Sequence, residues 1–428
     1  MKDLSVKLGP LNLKNPIVVG GGPLSGTVEH IKNCVDAGFG AIVTKTASAP
    51  WQMQRYPRPL YTLLDYKKNP QDPYYVPDSY TWMHRDHNSV YPIDKFPAIV
   101  KTVAPYCREH ETKLIGSIAG RSMIEWEKAA IAYAEAGADA LELNFCCPFP
   151  PEGLVENPED AHMGIFFTFN PAVAAQVVKH LKSIVNIPMF CKLSPDGSRF
   201  VDVAKALEGA GADGVTMFAN NSILRIDVET GLPTNYGPCA GTGPWAKGQA
   251  LRWTSMVANE TKLAVMGGRG ASDWKDVVEF LMAGSSAVQM CSPIMLRGLR
   301  YVSEILDKMS FYMERHNYES VSEFQGKVLK AIYSNQEMID KVKALYAKIN
   351  YDKCIGCGRC AEVCCYDAMN FYRKAVVKKD NCVGCSLCKN VCPSNAIDMG
   401  ERDHDLEYLR ALSSAHPELA PEGVWNKE

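Results

Sequence analysis

Eight of the 16 cysteines stand at regular spacings near the C-terminus of the chain. They form two runs with the same Cys-x2-Cys-x2-Cys-x3-Cys spacing, at Cys354, Cys357, Cys360 and Cys364 and at Cys382, Cys385, Cys388 and Cys392. Each run has a glycine shortly after its first cysteine, at Gly356 and Gly384, which favours a tight turn. Three thiolates on such a turn can bind one face of an iron–sulfur cubane. The spacing therefore predicts two iron–sulfur clusters.

A run of this spacing followed by proline, as at Pro393, is the pattern of bacterial two-cluster ferredoxins, in which the fourth cysteine ligates the other cluster. We therefore assign to one [4Fe-4S] cluster the thiols of Cys354, Cys357, Cys360 and Cys392. To the other cluster we assign the thiols of Cys382, Cys385, Cys388 and Cys364. Cys365 stands where proline would follow the first run, and we expect a packed thiol there, not a ligand.

Zinc and disulfide bonds are the two other uses that these thiols could have. Zinc sites are built from two cysteine pairs or from cysteine and histidine, and they do not need eight regularly spaced thiols. The N-terminus does not resemble a signal peptide, and no apolar run is long enough to span a bilayer. We therefore expect a protein of the reducing cytoplasm, where disulfides are rare.

Length and composition predict one large domain and a small one. The 428 residues include 46 basic and 48 acidic side chains, so nothing indicates binding to nucleic acid or to an anionic membrane. A hydrophobic content of 46% is that of an ordinary globular protein. The expected parts are a barrel domain over 1–316, a helical connector over 317–350, a ferredoxin-like domain over 351–400 and a tail over 401–428.

Short apolar strands alternate with amphipathic helices through the large domain. The predicted strands are 17–19, 41–45, 114–118, 140–145, 189–193, 214–218, 263–266 and 287–291. The predicted helices are 27–37, 96–110, 122–136, 171–183, 200–209, 249–260, 272–283 and 298–316. Eight such units predict a (β/α)8 TIM barrel, with an open doubly wound sheet as the alternative. The barrel is favoured because the candidate chemical residues follow strand ends, where barrel enzymes place their sites.

Three segments lie outside this alternation of strands and helices. Residues 5–13 alternate around Gly9 and Pro10 and predict a hairpin that could close one end of the barrel. The connections 46–96 and 147–170 are long enough to be lids or binding loops. Their aromatic content predicts ordered covers: Trp51, Tyr56, Trp82, Phe149, Phe166, Phe167 and Phe169.

Four features at the predicted strand ends are those of a flavin site. The glycines from Gly20 to Gly22 let the backbone approach a ligand closely. Lys45 and Lys192 each place an ammonium group that would stabilise the negative charge of a reduced flavin. The run Gly267-Gly268-Arg269-Gly270, with Ser292 after the last strand, would supply backbone N–H groups to a phosphate.

The fourth predicted strand ends in Asn144, Cys146 and Cys147. The amide of Asn144 can donate and accept hydrogen bonds to a ring, and the thiol of Cys147 could deliver or remove a proton, since a thiol pKa lies within reach of neutral pH. A buried structural thiol is the alternative for Cys147. We expect Cys146 to point to the opposite side of the extended strand.

Motifs along nearly the whole chain together resemble the dihydroorotate dehydrogenase family. They are Asn15-Pro16, Thr44-Lys45-Thr46, Leu143-Asn144-Phe145-Cys146-Cys147-Pro148, Cys191-Lys192-Leu193-Ser194-Pro195, Gly214-Val215-Thr216-Met217-Phe218, Gly267-Gly268 and Val288-Gln289-Met290-Cys291. With the cysteine runs, the chain looks most like the dihydropyrimidine dehydrogenase branch, in particular its smaller bacterial subunit with FMN and two clusters. The resemblance implies that Cys147 is the catalytic acid and base. It implies FMN contacts at Gly20, Gly21, Lys45, Asn144, Lys192, Gly267 and Gly268.

The chain departs from that family where the family binds its ring. Cys146 replaces a serine, Phe149 replaces a histidine, and the segment 82–88, which includes His84 and Arg85, replaces an Asn and Glu clamp. Asn220 and Asn221 stand one residue out of register with the family's Asn-Thr pair. An exchange of Glu for His and Arg reverses the preferred charge, which favours a ring other than a pyrimidine.

These features predict an iron–sulfur flavoprotein that reduces, or forms, a C=C bond conjugated to a ring carbonyl. FMN N5 would carry the hydride, Cys147 would handle the proton, and Asn144, Asn220 and Asn221 would hold the ring. No G-x-G-x-x-G follows a strand, so we expect electrons from a partner, either an NAD(P)H-oxidising flavoprotein subunit or a ferredoxin, and an oligomeric protein. The alternatives are a reductase of a carboxylated or enone-type ring, with His84 or Arg85 as the anion contact, and an electron-transfer subunit without its own substrate.

Overall fold

The computed structural model describes residues 2–47, 60–72, 75–85, 91, 94–147 and 164–402, with the side chains of 339, 340 and 402 excepted. The chain divides into two compact units, a barrel unit, Met1–Ala331, and a C-terminal unit, Ile332–Glu428. Several predicted features lie outside the described residues: the lid aromatics Trp51, Tyr56 and Phe149, residues 86–88 of the replaced clamp, and the tail beyond Arg402.

The barrel unit contains sixteen described strands and ten described α-helices, besides short 3-10 turns. In chain order the strands are β1 Val6–Leu8, β2 Leu11–Leu13, β3 Ile17–Val19, β4 Ala41–Val43, β5 Tyr61–Leu64, β6 Thr81–His84, β7 Lys113–Ile118, β8 Ala140–Phe145, β9 Met189–Leu193, β10 Gly214–Thr216, β11 Asn221–Ile223, β12 Ile226–Asp227, β13 Leu232–Pro233, β14 Cys239–Thr242, β15 Ala264–Gly267 and β16 Ala287–Met290. The helices are α1 Val28–Asp36, α2 Phe96–Glu109, α3 Met123–Glu135, α4 Ile165–Phe169, α5 Pro171–Ile184, α6 Phe200–Gly209, α7 Lys247–Glu260, α8 Trp274–Met282, α9 Ser292–Arg297 and α10 Tyr301–Arg315.

Eight parallel strands close into a barrel in the order β10-β15-β16-β3-β4-β7-β8-β9. Their side chains are buried along nearly their whole length, as expected of strands that have helices on one face and the barrel interior on the other. The surrounding helices begin at side-chain caps where the sequence provides them, as at Thr27, Ser122 and Asp273. The predicted TIM barrel is confirmed, and the eight predicted strands correspond to its eight strands.

The predicted N-terminal hairpin is also confirmed, as β1 paired with β2. Its apolar side chains, Val6, Leu8, Leu11 and Leu13, are buried in the core of the barrel unit. Gly9 at its turn lies against Asp213 and Ala264, which stand at the N-terminal ends of β10 and β15. The hairpin therefore covers the end of the barrel opposite to the strand C-termini, the end where barrel residues contribute to stability.

A second, four-stranded antiparallel sheet, in the order β11-β14-β6-β5, was not predicted. It joins two insertions that lie far apart in sequence, one after β4 and one after β10. Trp82 pairs with Leu63 on one side and with Thr242 on the other, and His84 pairs with Tyr61 and with Ala240. The sheet thus brings side chains from both insertions together above the barrel strands that precede them.

The C-terminal unit has two strand pairs and three short helices in its described part. The elements are α11 Asn335–Lys341, β17 Ala344–Ile349, α12 Arg359–Glu362, β18 Met369–Tyr372, β19 Lys374–Val377, α13 Leu387–Asn390 and β20 Ile397–Arg402. Strand β17 pairs with β20, and β18 with β19, both antiparallel. A small core that includes Ala347, Met369 and Ile397 holds these pairs together.

The helical connector predicted over 317–350 was wrong in its last part, because Ala344–Ile349 is a strand. Its lysines and alanines fit a helical spacing, but the segment pairs along six residues with β20, a partner about fifty positions later that local periodicity cannot reveal. The first two residues of the predicted tail, Glu401 and Arg402, belong to β20. None of the described helices is long and apolar enough to cross a membrane.

Candidate functional site

One cavity lies at the C-terminal ends of the barrel strands. Most of the residues predicted to bind cofactor or substrate line it: Gly20, Gly21, Lys45, His84, Asn144, Cys147, Lys192, Asn220, Gly268 and Ser292. They come from seven different barrel strands or the loops after them and, for His84, from the four-stranded sheet. The barrel topology therefore brings together residues that are far apart in sequence, from Gly20 to Ser292.

Three predicted residues do not line the cavity. Arg85 donates from Nε to the backbone oxygen of Asn235, at 2.8 Å. Asn221 donates from its amide to Asp196, at 2.5 Å, and accepts a hydrogen bond from Arg269. Gly267 lies in β15, where an added Cβ would meet Phe280 and Ser285, so this glycine permits close packing of a helix on the strand.

The side chain of Asn144 organises the turn that carries the two adjacent cysteines. Its Oδ1 accepts from the backbone N–H groups of Cys146 and Cys147, at 3.2 and 3.1 Å, and from the Cys146 thiol, at 2.9 Å. Its Nδ2 donates to Cys147 Sγ, at 3.0 Å, and to Thr46 Oγ1, at 3.2 Å. Both thiols line the same cavity, so the prediction that Cys146 points away was wrong. The strand ends at Phe145, and side-chain alternation does not continue into the turn.

The two thiols differ in acidity. The pKa of Cys147 lies below that of an ordinary thiol, first because the Cys146 thiol hydrogen-bonds to it, then because Asn144 donates to it and Lys192 and Lys45 are nearby. Burial raises the pKa of Cys146 well above the ordinary value. A thiol that titrates closer to neutral pH can both give and take a proton there.

Lys192 reaches into the cavity from a network of buried polar groups inside the barrel. Its Nζ lies 2.7 Å from Gln289 Oε1 and 3.4 Å from Glu142 Oε1. Glu142 also accepts from Thr216 and from the amide of Gln289, both at 2.9 Å. Burial alone would lower the pKa of Lys192, but the nearby Glu142 carboxylate, with the hydrogen bond that it accepts, raises that pKa. The ammonium group is therefore held in its charged form.

Arg269 supplies a further cation to the cavity, and it is buried, at 5% exposure. Its terminal nitrogens donate to Gln249 and Asn221, whereas its Nε has no hydrogen-bond partner among the described residues. After β3, which is the next strand but one from β15 around the barrel, an added Cβ at Gly21 would lie 2.8 Å from Thr44 O, and one at Gly22 would lie 2.6 Å from Cys291 Sγ. A cation with an unused donor and backbone free of side chains together suit a phosphate group.

The four-stranded sheet supplies the remaining wall. Tyr61 and Trp82 pack with ring centroids 5.2 Å apart. His84 Nε2 lies 2.7 Å from the amide nitrogen of Asn220, which is the last residue before β11. Trp82 and His84 were singled out in the sequence, whereas Tyr61, Thr242 and Gln289 also line the cavity and had no predicted role. Only the aromatic content of the insertions could have indicated Tyr61.

In the C-terminal unit, the eight regularly spaced cysteines surround two separate cavities. One is lined by Cys354, Cys357, Cys360 and Cys392. The other contains Cys382, Cys385 and Cys388 of the second run and Cys364 of the first. Within the described residues, no three His, Cys, Asp or Glu side chains converge on a single point as ligands of one metal ion do. In a cubane each thiolate binds a different iron, so its ligands stand apart around a cavity, as these thiols do.

Cys365, beside the first run, lies outside both cavities. Its exposed thiol contacts the backbone oxygen of Val363, at 3.6 Å. The prediction that it is not a ligand remains a prediction, but the expectation of a packed thiol does not match its exposure.

Comparison with known proteins agrees with this geometry. Residues 90–313, just over half of the chain, match the family model described as dihydroorotate dehydrogenase, and residues 347–399 match a 4Fe-4S dicluster domain. The NAD-dependent dihydropyrimidine dehydrogenase subunit PreA of Escherichia coli K12 is 28% identical over 376 residues, which cover 86% of each chain. The catalytic subunit of dihydroorotate dehydrogenase B (NAD(+)) from Alkaliphilus oremlandii is 27% identical over 330 residues, 76% of this chain and 99% of the relative.

The barrel, the residues at its strand ends and the match to the family model lead to the same assignment. Enzymes of this family are flavin-dependent oxidoreductases that act on CH–CH bonds, and dicluster domains hold iron–sulfur clusters. The chain belongs to the dihydroorotate dehydrogenase family and carries a 4Fe-4S dicluster domain at its C-terminal end.

Proposed function

We propose that the barrel unit adds two hydrogens across a C=C bond conjugated to a ring carbonyl, or removes them, with Cys147 as general acid and base. The main observation that supports the proposal is the contact between Asn144 and Cys147. The amide donates to a partly exposed thiol that lines the cavity, next to the cations Lys45 and Lys192. A thiol at the mouth of such a cavity can exchange a proton with a carbon held in front of it.

The residues of the cavity fit FMN, which when bound would carry the hydride. Arg269, through its unused Nε, and the Gly268–Gly270 backbone would hold the phosphate, with Ser292 nearby. Gly20 and Gly21 would let the backbone lie against the ring system, because a side chain at Gly21 would collide with Thr44. Lys192 would stabilise negative charge on the ring system, since Glu142 keeps its ammonium group charged.

The ring substrate would lie against the wall formed by Tyr61, Trp82, His84 and Asn220. The proposed reaction acts on the same type of bond as the reaction of a dihydropyrimidine dehydrogenase. A carboxylated or enone-type ring is the second candidate, because the described lining residues include no aspartate or glutamate and, besides the cations proposed for FMN, they include Lys45. A cavity lined by cations favours a substrate that carries an anion or develops negative charge during the reaction.

We further propose that the C-terminal unit holds two [4Fe-4S] clusters on the two sets of four thiols, and that these clusters supply single electrons to the barrel. The E. coli relative is a subunit of an enzyme described as NAD-dependent. By analogy, electrons would come from a protein partner, either a subunit that oxidises NAD(P)H or a ferredoxin.

The test is a half-reaction under anaerobic conditions. Chemically reduced holoprotein is mixed with pyrimidines, cyclic enones and unsaturated or aromatic ring acids, and flavin reoxidation is followed by absorbance. We expect one class of ring to reoxidise the parent protein rapidly and Cys147→Ala slowly. Reoxidation by a ring at the same rate in both proteins would remove Cys147 from the mechanism. Failure of every ring, together with rapid electron exchange with a ferredoxin, would favour the electron-transfer subunit without a substrate.

A further inference from the structure

Gln289 lines the cavity from β16 and reaches across the interior of the barrel. In the ring of eight strands, β16 stands opposite β8 and three strands away from β9. The amide nitrogen of Gln289 nevertheless lies 2.9 Å from Glu142 Oε2 on β8, and its Oε1 lies 2.7 Å from Lys192 Nζ on β9. The same nitrogen lies 3.5 Å from Met266 Sδ. One amide group therefore joins side chains from opposite sides of the barrel.

The partners of Gln289 allow only one orientation of its amide. A carboxylate and a thioether sulfur only accept hydrogen bonds, so the atom that faces Glu142 and Met266 is the amide nitrogen. An ammonium group only donates, so the atom that faces Lys192 is the amide oxygen. The opposite orientation would lose the hydrogen bonds to both charged groups. The amide oxygen is thus held where Lys192 can donate to it.

The distances show which group fixes the position of the Lys192 ammonium. Its Nζ is at hydrogen-bond distance from Gln289 Oε1, 2.7 Å, but 3.4 Å from Glu142 Oε1, beyond the usual N–H···O range of about 2.7–3.2 Å. The other oxygen of Glu142 already accepts from Gln289 and Thr216, both at 2.9 Å. The carboxylate therefore supplies charge from a longer distance, and the amide determines where the ammonium group lies.

The contact lies beside the backbone that is proposed to face the flavin ring system. An added Cβ at Gly20 would lie 3.1 Å from Gln289 Oε1. An ammonium group has three N–H donors, and Lys192 contacts two acceptors among the described residues, Gln289 and Glu142. Because Lys192 lines the cavity, its third donor is left for an acceptor that binds there.

We propose that Gln289 is a positioning residue that holds the Lys192 ammonium in the cavity and thereby raises the redox potential of bound FMN. A reduced flavin carries negative charge, so a fixed cation beside it favours the reduced form. Without the amide oxygen, the ammonium group moves toward Glu142, whose carboxylate offsets its charge. The inference rests on the proposed function only in that FMN occupies this cavity.

The test measures the two-electron midpoint potential of bound FMN, which requires no ring substrate. Anaerobic holoprotein is equilibrated with reference dyes, and flavin absorbance is followed after subtraction of the cluster absorbance of FMN-free protein. Gln289→Met removes both hydrogen bonds to the charged groups but keeps an unbranched side chain that adapts to the site. Thr216→Val is the matched control, because it removes the other hydrogen bond to Glu142 Oε2 and leaves the contact between Gln289 and Lys192.

We expect Gln289→Met to lower the midpoint potential. For two unit charges, an increase in separation from about 4 to about 6 Å weakens a preference roughly tenfold at an effective dielectric constant of about 20. A tenfold weaker preference for the reduced flavin lowers the potential of a two-electron couple by about 30 mV. In Thr216→Val the preference should stay within about twofold of the parent, because the cation keeps its place.

Two results would contradict the proposal at this stage. They are a parent-like potential in Gln289→Met and an equal shift in Thr216→Val. The FMN content per chain shows whether each variant binds the cofactor. Gln289→Leu, which also lacks the amide, repeats the measurement if the methionine variant loses FMN.

A second background shows whether Gln289 acts through Lys192. The double variant Lys192→Met with Glu142→Gln has neither the ammonium group nor the carboxylate. Adding Gln289→Met to it should change the preference for the reduced flavin by less than about twofold, because no cation is left to position. The same tenfold shift in both backgrounds would mean that Gln289 acts on the flavin directly, and the positioning role would be lost.

The outcome is separable from that of the proposed function. If the potentials follow this pattern but no ring reoxidises the reduced flavin, the positioning role stands and the proposed ring reaction fails. If a ring reoxidises the parent protein while Gln289→Met keeps the parent's potential, the proposed function stands and the role of Gln289 is lost.

Discussion

Glu142 and Lys192, on the neighbouring strands β8 and β9, form an ion pair inside the barrel, with 3.4 Å between carboxylate and ammonium. Their side chains are 1% and 13% exposed. Removing one member of such a pair leaves an uncompensated buried charge, which costs about 3–5 kcal/mol. We therefore expect Lys192→Met to lower the unfolding free energy of the barrel by about that amount. Urea unfolding of the FMN-free protein measures this change in unfolding free energy. Tryptophan fluorescence is a suitable probe, because six of the seven tryptophans lie in the barrel unit.

Two variants show whether the ion pair is the cause. The double variant Lys192→Met with Glu142→Gln should recover much of the loss, because no charge is left unpaired. Lys205→Met, which breaks an ion pair with Glu260 in which both side chains are about half exposed, should change the unfolding free energy by only about 0–1 kcal/mol. Equal instability of the single and double Lys192 variants would mean that lost packing, not the unpaired carboxylate, is responsible.

Replacing Cys147 should reduce the rate without removing the cofactors. A positioned acid contributes roughly 100- to 10000-fold to a proton transfer, so Cys147→Ala should lose rate on that scale. Cys147→Ser should lose most of it as well, because the pKa of a hydroxyl lies far above that of a thiol. Rates of flavin reoxidation by the ring substrate measure the effect, and the FMN and iron contents of the variants should equal those of the parent. A parent-like rate in Cys147→Ala would assign the proton transfer to another group.

The pH dependence should reveal the state of the same thiol. Ring reduction needs the protonated thiol, so its rate should be highest below the pKa of Cys147 and fall as pH rises through it, whereas ring oxidation should show the opposite. Because the Cys146 hydrogen bond, Asn144, Lys192 and Lys45 lower this pKa, both limbs should lie below the pH expected for an ordinary thiol, about 8.5. Measuring kcat/KM as a function of pH, for ring reduction and for ring oxidation, locates the pH at which each rate changes. The residual activity of Cys147→Ser should lack this pH-dependent change in rate. A change that persists in this variant would come from the titration of a different residue.

Arg269 should matter for FMN affinity. A charge-assisted hydrogen bond contributes about 1.5–3 kcal/mol, so Arg269→Ala should weaken FMN binding roughly 10- to 100-fold, and Arg269→Lys should recover only part of that. Fluorescence titration of FMN-free protein gives the dissociation constants. The exposed Arg252, which lies over Trp253 on α7, is the matched control, and Arg252→Ala should bind FMN like the parent. Parent-like affinity in Arg269→Ala would place the phosphate elsewhere.

The two thiol cavities predict the iron content. The parent should contain about eight iron and eight acid-labile sulfide per chain. Cys385→Ala should lose about half of both and all turnover with a protein donor, while chemically reduced flavin should still react with the ring. Cys365→Ser, next to Cys364 but outside both cavities, should keep the parent's iron content. Zinc without sulfide in the parent, or iron loss in Cys365→Ser, would overturn the ligand assignment.

The sequence predicted the barrel well because each of its strands is a short, continuous apolar run followed by an amphipathic helix. Ala140–Phe145 and Met189–Leu193 have the predicted bounds. The four-stranded sheet could not be predicted in the same way. Strand β11 is Asn221–Ile223 and β14 is Cys239–Thr242, both short and partly polar. Strand β11 pairs only with β14, and β14 pairs in turn with β6, in an insertion more than a hundred positions earlier.

The site residues were predicted from the positions of the strand ends. The prediction was correct where the position of a residue along a strand determines the direction of its side chain. Lys45, Asn144 and Lys192 reach the cavity because they stand at or just beyond the ends of β4, β8 and β9. Arg85 and Asn221 do not, because their side chains hydrogen-bond to Asn235 and Asp196, and both residues belong to the insertions, whose pairing the sequence did not reveal. Cys146 was predicted to face away because strand alternation was extended one residue past Phe145, into a turn built by the Asn144 side chain.

The two walls of the cavity come from different parts of the chain, one from the barrel strands and the other from the four-stranded sheet. The groups proposed for the flavin belong to the barrel, whereas Tyr61, Trp82, His84 and Thr242 belong to a sheet made entirely of inserted segments. Under the proposed function, substitutions in those insertions should change which ring is accepted, while the barrel residues proposed for the flavin stay unchanged. The reaction type would then depend on the barrel, and the choice of substrate on one small sheet.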